Sequence, residues 1–563
     1  MSTRPSQLAG PPAPSPRVAT LVDALIANAD DDRPFVVLHG SGEPRPMDAR
    51  ATLGSARRWA TALRTRGVGP GHPVAIMLPT SADFLGAFFG ALLLGALPMP
   101  LATPMTFGPL DRYLEQCARA IRHARARILV ATPRIVEAAR LTSLEGTIDA
   151  SLTPAEADET LPRATRDGAI DARTPALLQY TSGTTGTPRG VLLGHRAIVA
   201  NASAIAHALA IVPTDVGVSW LPLHHDMGLI GALLTALVAP YTLHLMAPEA
   251  FIMRPRRWLE LIAQHRGTLS TAPNFAYELV AKKADPEGLD LSSWRAALDG
   301  AEPVHGATLR RFAERFRSTG FRPTALTPVY GLAESSLAVT THPLGEPAQT
   351  TSVDRASLER GALARASADP SARELVSCGS PVAGTSVTIR DVGSRVLPEG
   401  AIGEIRVSGP SVMDGYYHDE EASATALEDG ALRTGDLGFV RGGRLFISGR
   451  ARELIIQSGR NVHPEDVERV ALESDTSVAS AAAFARGSAA TGTEDLVVVV
   501  EARGLDAEAK DRVSTRIRGE LLAVMGVRAD AVAVWPIGTI PRTSSGKVRR
   551  AECAERFASG GPR

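Results

Sequence analysis

The chain has 563 residues, 44% of them hydrophobic, with 51 Gly and 40 Pro; it is long enough for several packed units and too patterned for a disordered protein. Its 60 basic residues balance its 60 acidic ones, which excludes a broad field drawing it onto nucleic acid or an anionic membrane. Cys117, Cys378 and Cys553 lie far apart without a CxxC pair, which excludes a disulfide framework and a cysteine zinc cluster and points to reduced thiols in a cytoplasmic protein.

Residues 1–17, MSTRPSQLAGPPAPSPR, are proline-rich and lack an apolar core, so they read as a flexible lead-in rather than a signal peptide. The run FLGAFFGALLLGALPMPLA, from Phe84 to Ala102, is rich in Gly and Ala and is soon broken by Pro98, too short for a membrane span; it predicts a buried helix following the strand VAIMLP. From about residue 35 to 345, apolar runs such as ARILVAT, GVSWLPL and YTLHLMA alternate with helical stretches, the pattern of parallel sheets covered by helices. After Cys378 the texture changes to SVTIRDV, GEIRVSG and GFVRGGRLFISG, near-alternating strands with a hairpin predicted at Gly442-Gly443. Beyond Arg450 a second α/β pattern follows. The expectation is an α/β protein. A large N-terminal domain, residues 18–450, would hold two α/β subdomains and a small β-rich subdomain, and a small mobile C-terminal α/β domain would span 451–563.

Residues 180–191, YTSGTTGTPRGV, combine the hydroxyls of Thr181, Ser182, Thr184 and Thr185 with Gly183 and Gly186, so that backbone N–H groups and side chains can converge on anionic oxygens. The Walker spacing is absent, since Gly186 is followed by Thr-Pro-Arg.

This run resembles the signature of the adenylate-forming superfamily, which includes acyl-CoA synthetases, luciferases, peptide-synthetase adenylation domains and fatty acyl-AMP ligases. Further segments carry the resemblance in order: WLPLHHDMGLIG (220–231), GAEP (300–303), YGLAESSL (330–337), TGDLG (434–438), GRARELII (449–456) and PRTSSGK (541–547). The resemblance implies ATP and Mg²⁺ as cofactors, with a carboxylate attacking the α-phosphate, a reaction that needs positioning and charge neutralisation. By the same resemblance, Glu334 holds Mg²⁺ and Tyr330 stacks on adenine, with Gly331, Leu332 and Ala333 beside it. The backbone of Gly300, Ala301, Glu302 and Pro303 lines that pocket, while Asp436 and Arg450 hold the ribose. Lys547 swings in on the reacting carboxylate and phosphate, and His225 stands at the carboxylate entrance, although a satisfied core histidine is the alternative. His224 departs from the aromatic residue usual there, and GRARE places Glu453 where the family hinge has Asp.

Within the superfamily, TAPNFAYELV (271–280), DGAEPV and YGLAESSL resemble fatty acyl-AMP ligases in particular. Met227, Ile230, Phe275 and Tyr277 are candidate walls of an acyl tunnel, and each is equally a natural core residue. A surplus segment at about 350–378 resembles the family insertion; Leu358, Leu363 and Leu375 give it the makings of a short amphipathic lid. The resemblance implies that it restrains the smaller domain, disfavours coenzyme A, and leaves a fatty acid to be passed as acyl-AMP to an acyl carrier protein, stand-alone or within a polyketide or nonribosomal peptide synthase. No carrier module follows Lys547, so the expected partner acts in trans. The alternative is a fatty acyl-CoA synthetase.

Overall fold

The computed structural model describes the chain except for residues 1–3, 41, 104–109, 141–143, 145, 160, 162–169, 182–188, 360–362, 370–371, 458–459, 488–493, 543–547 and 563. Two α/β sheets form the large body. The first has nine strands and runs, edge to edge, from Ser380–Pro381 through Ala338–Thr341, Leu326–Gly331, Ala296–Asp299, Leu269–Ala272, Val216–Ser219, Thr242–Met246 and Val36–His39 to Arg45–Met47. Its central pairs are parallel and its edge pairs antiparallel. The second has four parallel strands, Leu97–Pro100, Pro73–Met77, Ile128–Ala131 and Ala150–Leu152.

The segment that most resembles a membrane span is the helix Ala82–Leu93, capped by Ser81, whose hydroxyl accepts from Phe84 N–H. It packs on the helix Ala49–Thr65 at Gly86 and Gly90, where an added Cβ would stand 2.3 Å and 2.8 Å from the Trp59 side chain. Two glycines on one helical face therefore give Trp59 its slot, and that packing accounts for the run's small residues. Among the described residues no helix is long and apolar enough to cross a membrane.

A six-stranded antiparallel sheet makes the β-rich subdomain, in the order Gln7–Ala9, Ser386–Arg390, Gly403–Ser408, Ala431–Arg441 and Leu427–Glu428, with Arg444–Arg450 also paired to Ala431–Arg441. The expectation of a flexible lead-in is thus corrected at its centre. Gln7, Leu8 and Ala9 pair with Thr388, Val387 and Ser386, and the buried Ser6 hydroxyl donates to Pro398 O at 2.9 Å. Backbone hydrogen bonding to a sheet edge holds this short strand where composition alone suggested freedom.

The segment expected to be an insertion pairs strands Thr350–Val353 and Arg373–Val376 and carries a single turn of helix, Arg355–Glu359. Val353, Leu358, Ala364 and Leu375 bury against Ile402, Phe439 and Phe446, so the segment lies on the β-rich subdomain. The 3₁₀ turn Ala451–Glu453 then leads to the strands Ile455–Gln457 and Arg460–Val462 and to the sheet Val478–Gly487, Glu494–Ala502 and Ala531–Trp535 with its own helices and core. All three cysteines are buried thiols.

Candidate active site

Strand Ala431–Arg441 turns through Gly442 and Gly443, with φ of 57° and 74°, into strand Arg444–Arg450; positive φ at both residues is what a two-residue hairpin turn needs. Arg441 faces Arg444 across the turn, but a bulge at Leu437 and Gly438 advances the register by one residue. Asp436 therefore lies opposite Arg450 instead of Gly449. Arg450 Nε donates to Asp436 Oδ1 at 2.8 Å, and the Tyr330 hydroxyl donates to Oδ2 at 2.7 Å. The Asp436 charge raises the Arg450 guanidinium above its usual range, while burial and then the same charge push the Tyr330 phenol well above 10. Tyr330 is thus a neutral donor and Arg450 a permanent cation.

Glu334 sits on the 3₁₀ turn Ala333–Ser335, in a loop closed by Leu332 N–H donating to Leu337 O at 2.9 Å. The loop is tight: a Cβ on Gly331 would stand 1.9 Å from the Leu337 carbonyl, and Ser336 takes φ of 59°. Burial raises the Glu334 carboxyl above its ordinary range, Asp226 adding in the same direction. Tyr416 opposes this, its hydroxyl donating to Glu334 Oε1 at 3.0 Å. A carboxyl that burial and a second carboxylate push toward protonation is one that a cation would return to its ionised form. Tyr416 reaches it because Gly415–Tyr416 adds as a third strand beside Arg189–Gly194, itself paired with Pro175–Thr181. The Arg189 guanidinium lies 5.2 Å from the centre of the Tyr416 ring. Arg189 belongs to the run 180–191, but Tyr416 carries no local sequence signal, and only the strand pairing places it here.

The hairpin Pro175–Thr181 and Arg189–Gly194 flanks the expected phosphate grip, of which Ser182, Gly183, Thr184, Thr185 and Gly186 lie outside the described residues; Thr181 lines the cavity. Lys547 also lies outside the described residues. His225 Nδ1 is 2.7 Å from Asp226 Oδ1, which accepts from Met227 N–H at 2.7 Å at the start of a π-helix, Met227–Leu234. Burial, then the neighbouring His225, lowers His224 to about 3, so His224 is neutral.

One cavity of ≈ 2950 Å³ joins His225, Glu334, Tyr330 and Arg450. Its apolar part runs between the π-helix, through Met227, Gly231, Ala232 and Thr235, and the sheet residues Gly217 and Leu243. Of the four expected tunnel residues only Met227 lines it. Ile230 is wholly buried in the main core, and Tyr277 is wholly buried among Trp258, Trp294 and Phe312 with its hydroxyl donating to Leu298 O at 2.8 Å. Phe275 packs edge-on to Trp220, and its N–H donates to Glu302 Oε1 at 2.5 Å. Ile230 and Tyr277 are therefore core residues, and Phe275, half-buried against that core, does not line this cavity. Of Gly300 to Pro303, Ala301 lines the cavity at φ of 67°, a strained value for a residue with a Cβ, while the Glu302 side chain caps a helix. Gly331, Leu332 and Ala333 line it with Tyr330.

A Caulobacter vibrioides protein with the provisional name of an acyl-CoA synthetase is 36% identical, covering 88% of this chain and 87% of its own length. The medium-chain-fatty-acid–[acyl-carrier-protein] ligase JamA of Moorena producens is 34% identical, with coverages of 86% and 85%. A solved structure from a study of fatty acyl-adenylate ligases of E. coli and L. pneumophila superposes with a TM-score of 0.89 at 32% identity, covering 96% of this chain and 98% of its own. Residues 26–417 match the family described as AMP-binding enzyme, and these residues contain Tyr330, Glu334 and His225 of the cavity; the chain belongs to that family.

Proposed function

We propose that the protein is a cytoplasmic fatty acyl-AMP ligase: a fatty acid and MgATP give acyl-AMP and pyrophosphate, and the acyl group then passes to the phosphopantetheine thiol of an acyl carrier protein acting in trans. One observation carries this reading: Tyr330 and Arg450, the two residues that hold Asp436, line the same cavity as Glu334, and that cavity has an apolar channel. In the first step a carboxylate oxygen of the acid attacks the α-phosphorus and the bond to pyrophosphate breaks. Asp436, its two oxygens fixed by Tyr330 and Arg450, accepts from the ribose hydroxyls. His225, held against Asp226, orients the entering carboxylate. Lys547 and the run from Ser182 to Gly186 are proposed to meet the phosphates. Glu334 is the residue that would hold Mg²⁺, which when bound offsets phosphate charge. In the second step the carrier thiol attacks the acyl carbonyl and AMP departs.

For the acceptor, support comes from the insertion. Arg373 Nε lies 3.0 Å from Asp466 Oδ1 and Arg355 Nη1 3.3 Å from Oδ2, with Arg373 and Asp466 each 9% exposed. Burial would raise the Asp466 carboxyl, but Arg373 and Arg355 outweigh it and hold it below its ordinary range. This latch ties the C-terminal domain to the insertion and opposes the domain rotation that coenzyme A requires. The similarity to JamA points the same way, whereas the name of the Caulobacter relative favours coenzyme A. Incubating the full chain with ATP, Mg²⁺ and a mixed fatty acid pool, with either coenzyme A or a holo carrier protein, separates the two. Mass spectrometry should show acyl-AMP and acyl-carrier product; rapid acyl-CoA formation would overturn the assignment.

A further inference from the structure

Three histidines meet at the far end of the nine-stranded sheet, and none of them lines the catalytic cavity. His39 closes strand Val36–His39, and His244 lies in the adjacent parallel strand Thr242–Met246. His244 pairs with Val37 and Met246 with His39, so alternation puts His39 and His244 on one face of the sheet. His265, the C-cap of helix Arg256–Gln264, comes down on that face. The ring centres form a triangle of 5.1, 4.0 and 5.2 Å, and the candidate ligand nitrogens all lie within 4.8 Å of one another.

Three imidazoles have no need to crowd in this way for packing alone, since each brings two polar nitrogens that burial penalises. His39 Nε2 and His244 Nδ1 are 2.8 Å apart and share one proton. The buried His265 Nε2 makes no hydrogen bond among the described residues. We propose that His39, His244 and His265 form a binding site for a divalent transition ion, with Zn²⁺ the natural occupant and a solvent molecule as fourth ligand. A tetrahedral zinc with Zn–N bonds of ~2.0–2.1 Å needs donor nitrogens roughly 3.3 Å apart, a spacing that small ring rotations reach from the present triangle. Binding breaks this contact by a tautomer shift: each neutral ring then carries its single hydrogen on its outer nitrogen, His39 on Nδ1 and His244 on Nε2, so two lone pairs face the ion.

The protonation state agrees with this geometry. Burial first, then the neighbouring His265, lowers His39 to about 4 and His244 to about 3, and burial lowers His265. All three are therefore neutral near pH 7, the form that ligates. Arg257, the cation that also acts on His39, donates to Gly40 O at 3.1 Å. Such a site staples the ends of two strands to the following helix; it is structural or metal-sensing and takes no part in adenylation.

The test uses the tag-free full chain, stripped of metal by chelator dialysis and titrated calorimetrically with zinc sulfate, with Co²⁺ absorption in the visible range as a second readout. One saturable equivalent and a tetrahedral Co²⁺ spectrum are expected. In His265→Ala the affinity should fall by more than the roughly 10–100-fold that even outer-shell losses cost, while fatty acid adenylation persists and shows that the variant is folded. His207→Ala, at an exposed position, should bind as the parent does. Absence of saturable binding in the parent chain, or binding as tight as the parent's in His265→Ala or in a His39→Gln, His244→Gln double variant, would overturn the proposal.

Discussion

Glu453 and Arg550 are paired: the turn that leaves the large body and the first residue of the last helix, 97 positions apart, meet through Oε2 and Nη1. Arg550 also donates to Glu468 at 2.7 and 2.8 Å and lies 3.3 Å from Glu465. Burial alone would lower this guanidinium, but Glu468, Glu465 and Glu453 together outweigh it and raise it. One cation thus serves three carboxylates. Glu453→Ala leaves Arg550 two partners and should cost less than losing the arginine, yet it should change the ratio of pyrophosphate release to carrier loading, because it frees the turn between the domains. Arg550→Gln strands buried carboxylates and should cost about 3–5 kcal/mol. Calorimetry on both variants, with the two half-reactions assayed separately, checks the pair of outcomes; equal thermal losses would count against this reading.

At Asp436, replacement by Asn keeps one acceptor and turns an amide N–H toward the other donor. Loss of a hydrogen bond to a charged group is worth about 1.5–3 kcal/mol, or roughly ten- to a hundredfold in KM for ATP. The fatty acid KM should change little, since Asp436 lies on the Tyr330 and Arg450 side of the cavity. Initial-rate kinetics with each substrate varied in turn provide the check.

Tyr416→Phe removes the donor to Glu334 Oε1. That hydrogen bond lowers the Glu334 carboxyl against the larger raising effect of burial, so its loss raises the group further. The ionised form is the one that holds a cation, and it is present above the Glu334 pKa and lost as pH falls through it. The acid limb of kcat/KM for MgATP should therefore move to higher pH, with the alkaline limb unmoved. A pH profile with a stationary acid limb would remove Tyr416 from the site.

Chain-length preference should respond to Gly217. A Cβ there would stand 2.7 Å from the Tyr241 ring and 2.9 Å from Leu243, and both of these side chains line the cavity. Gly217→Val forces them toward the apolar channel proposed to take the acyl group, and the acyl-AMP products of a mixed acid pool should shift to shorter chains by mass spectrometry. An unchanged distribution would place the acyl group elsewhere.

The motifs made Asp436, Arg450, Tyr330 and Glu334 legible one by one, and the Gly442-Gly443 turn gave away the hairpin. What brings Asp436 against Arg450 is a single-residue bulge, and no residue type announces it. Ile230 and Tyr277 went to the core for a physical reason: hydrophobicity marks burial, and most burial is core. The channel is bordered instead by Gly217, Gly231 and Ala232, small side chains whose contribution is the room they leave. Tyr416 acts 82 positions away from its partner, a distance across which only strand pairing carries information.

The strand Gln7–Ala9 also has a consequence for the molecule's solubility. It covers the outer side of Ser386–Arg390, and a chain trimmed to Val18 would present that side as a bare row of N–H and C=O groups. Open edges of this kind recruit strands from other molecules. The leader thus replaces a five-residue edge with one of only three residues, flanked by Pro5 and Pro11, which cannot lengthen a ladder.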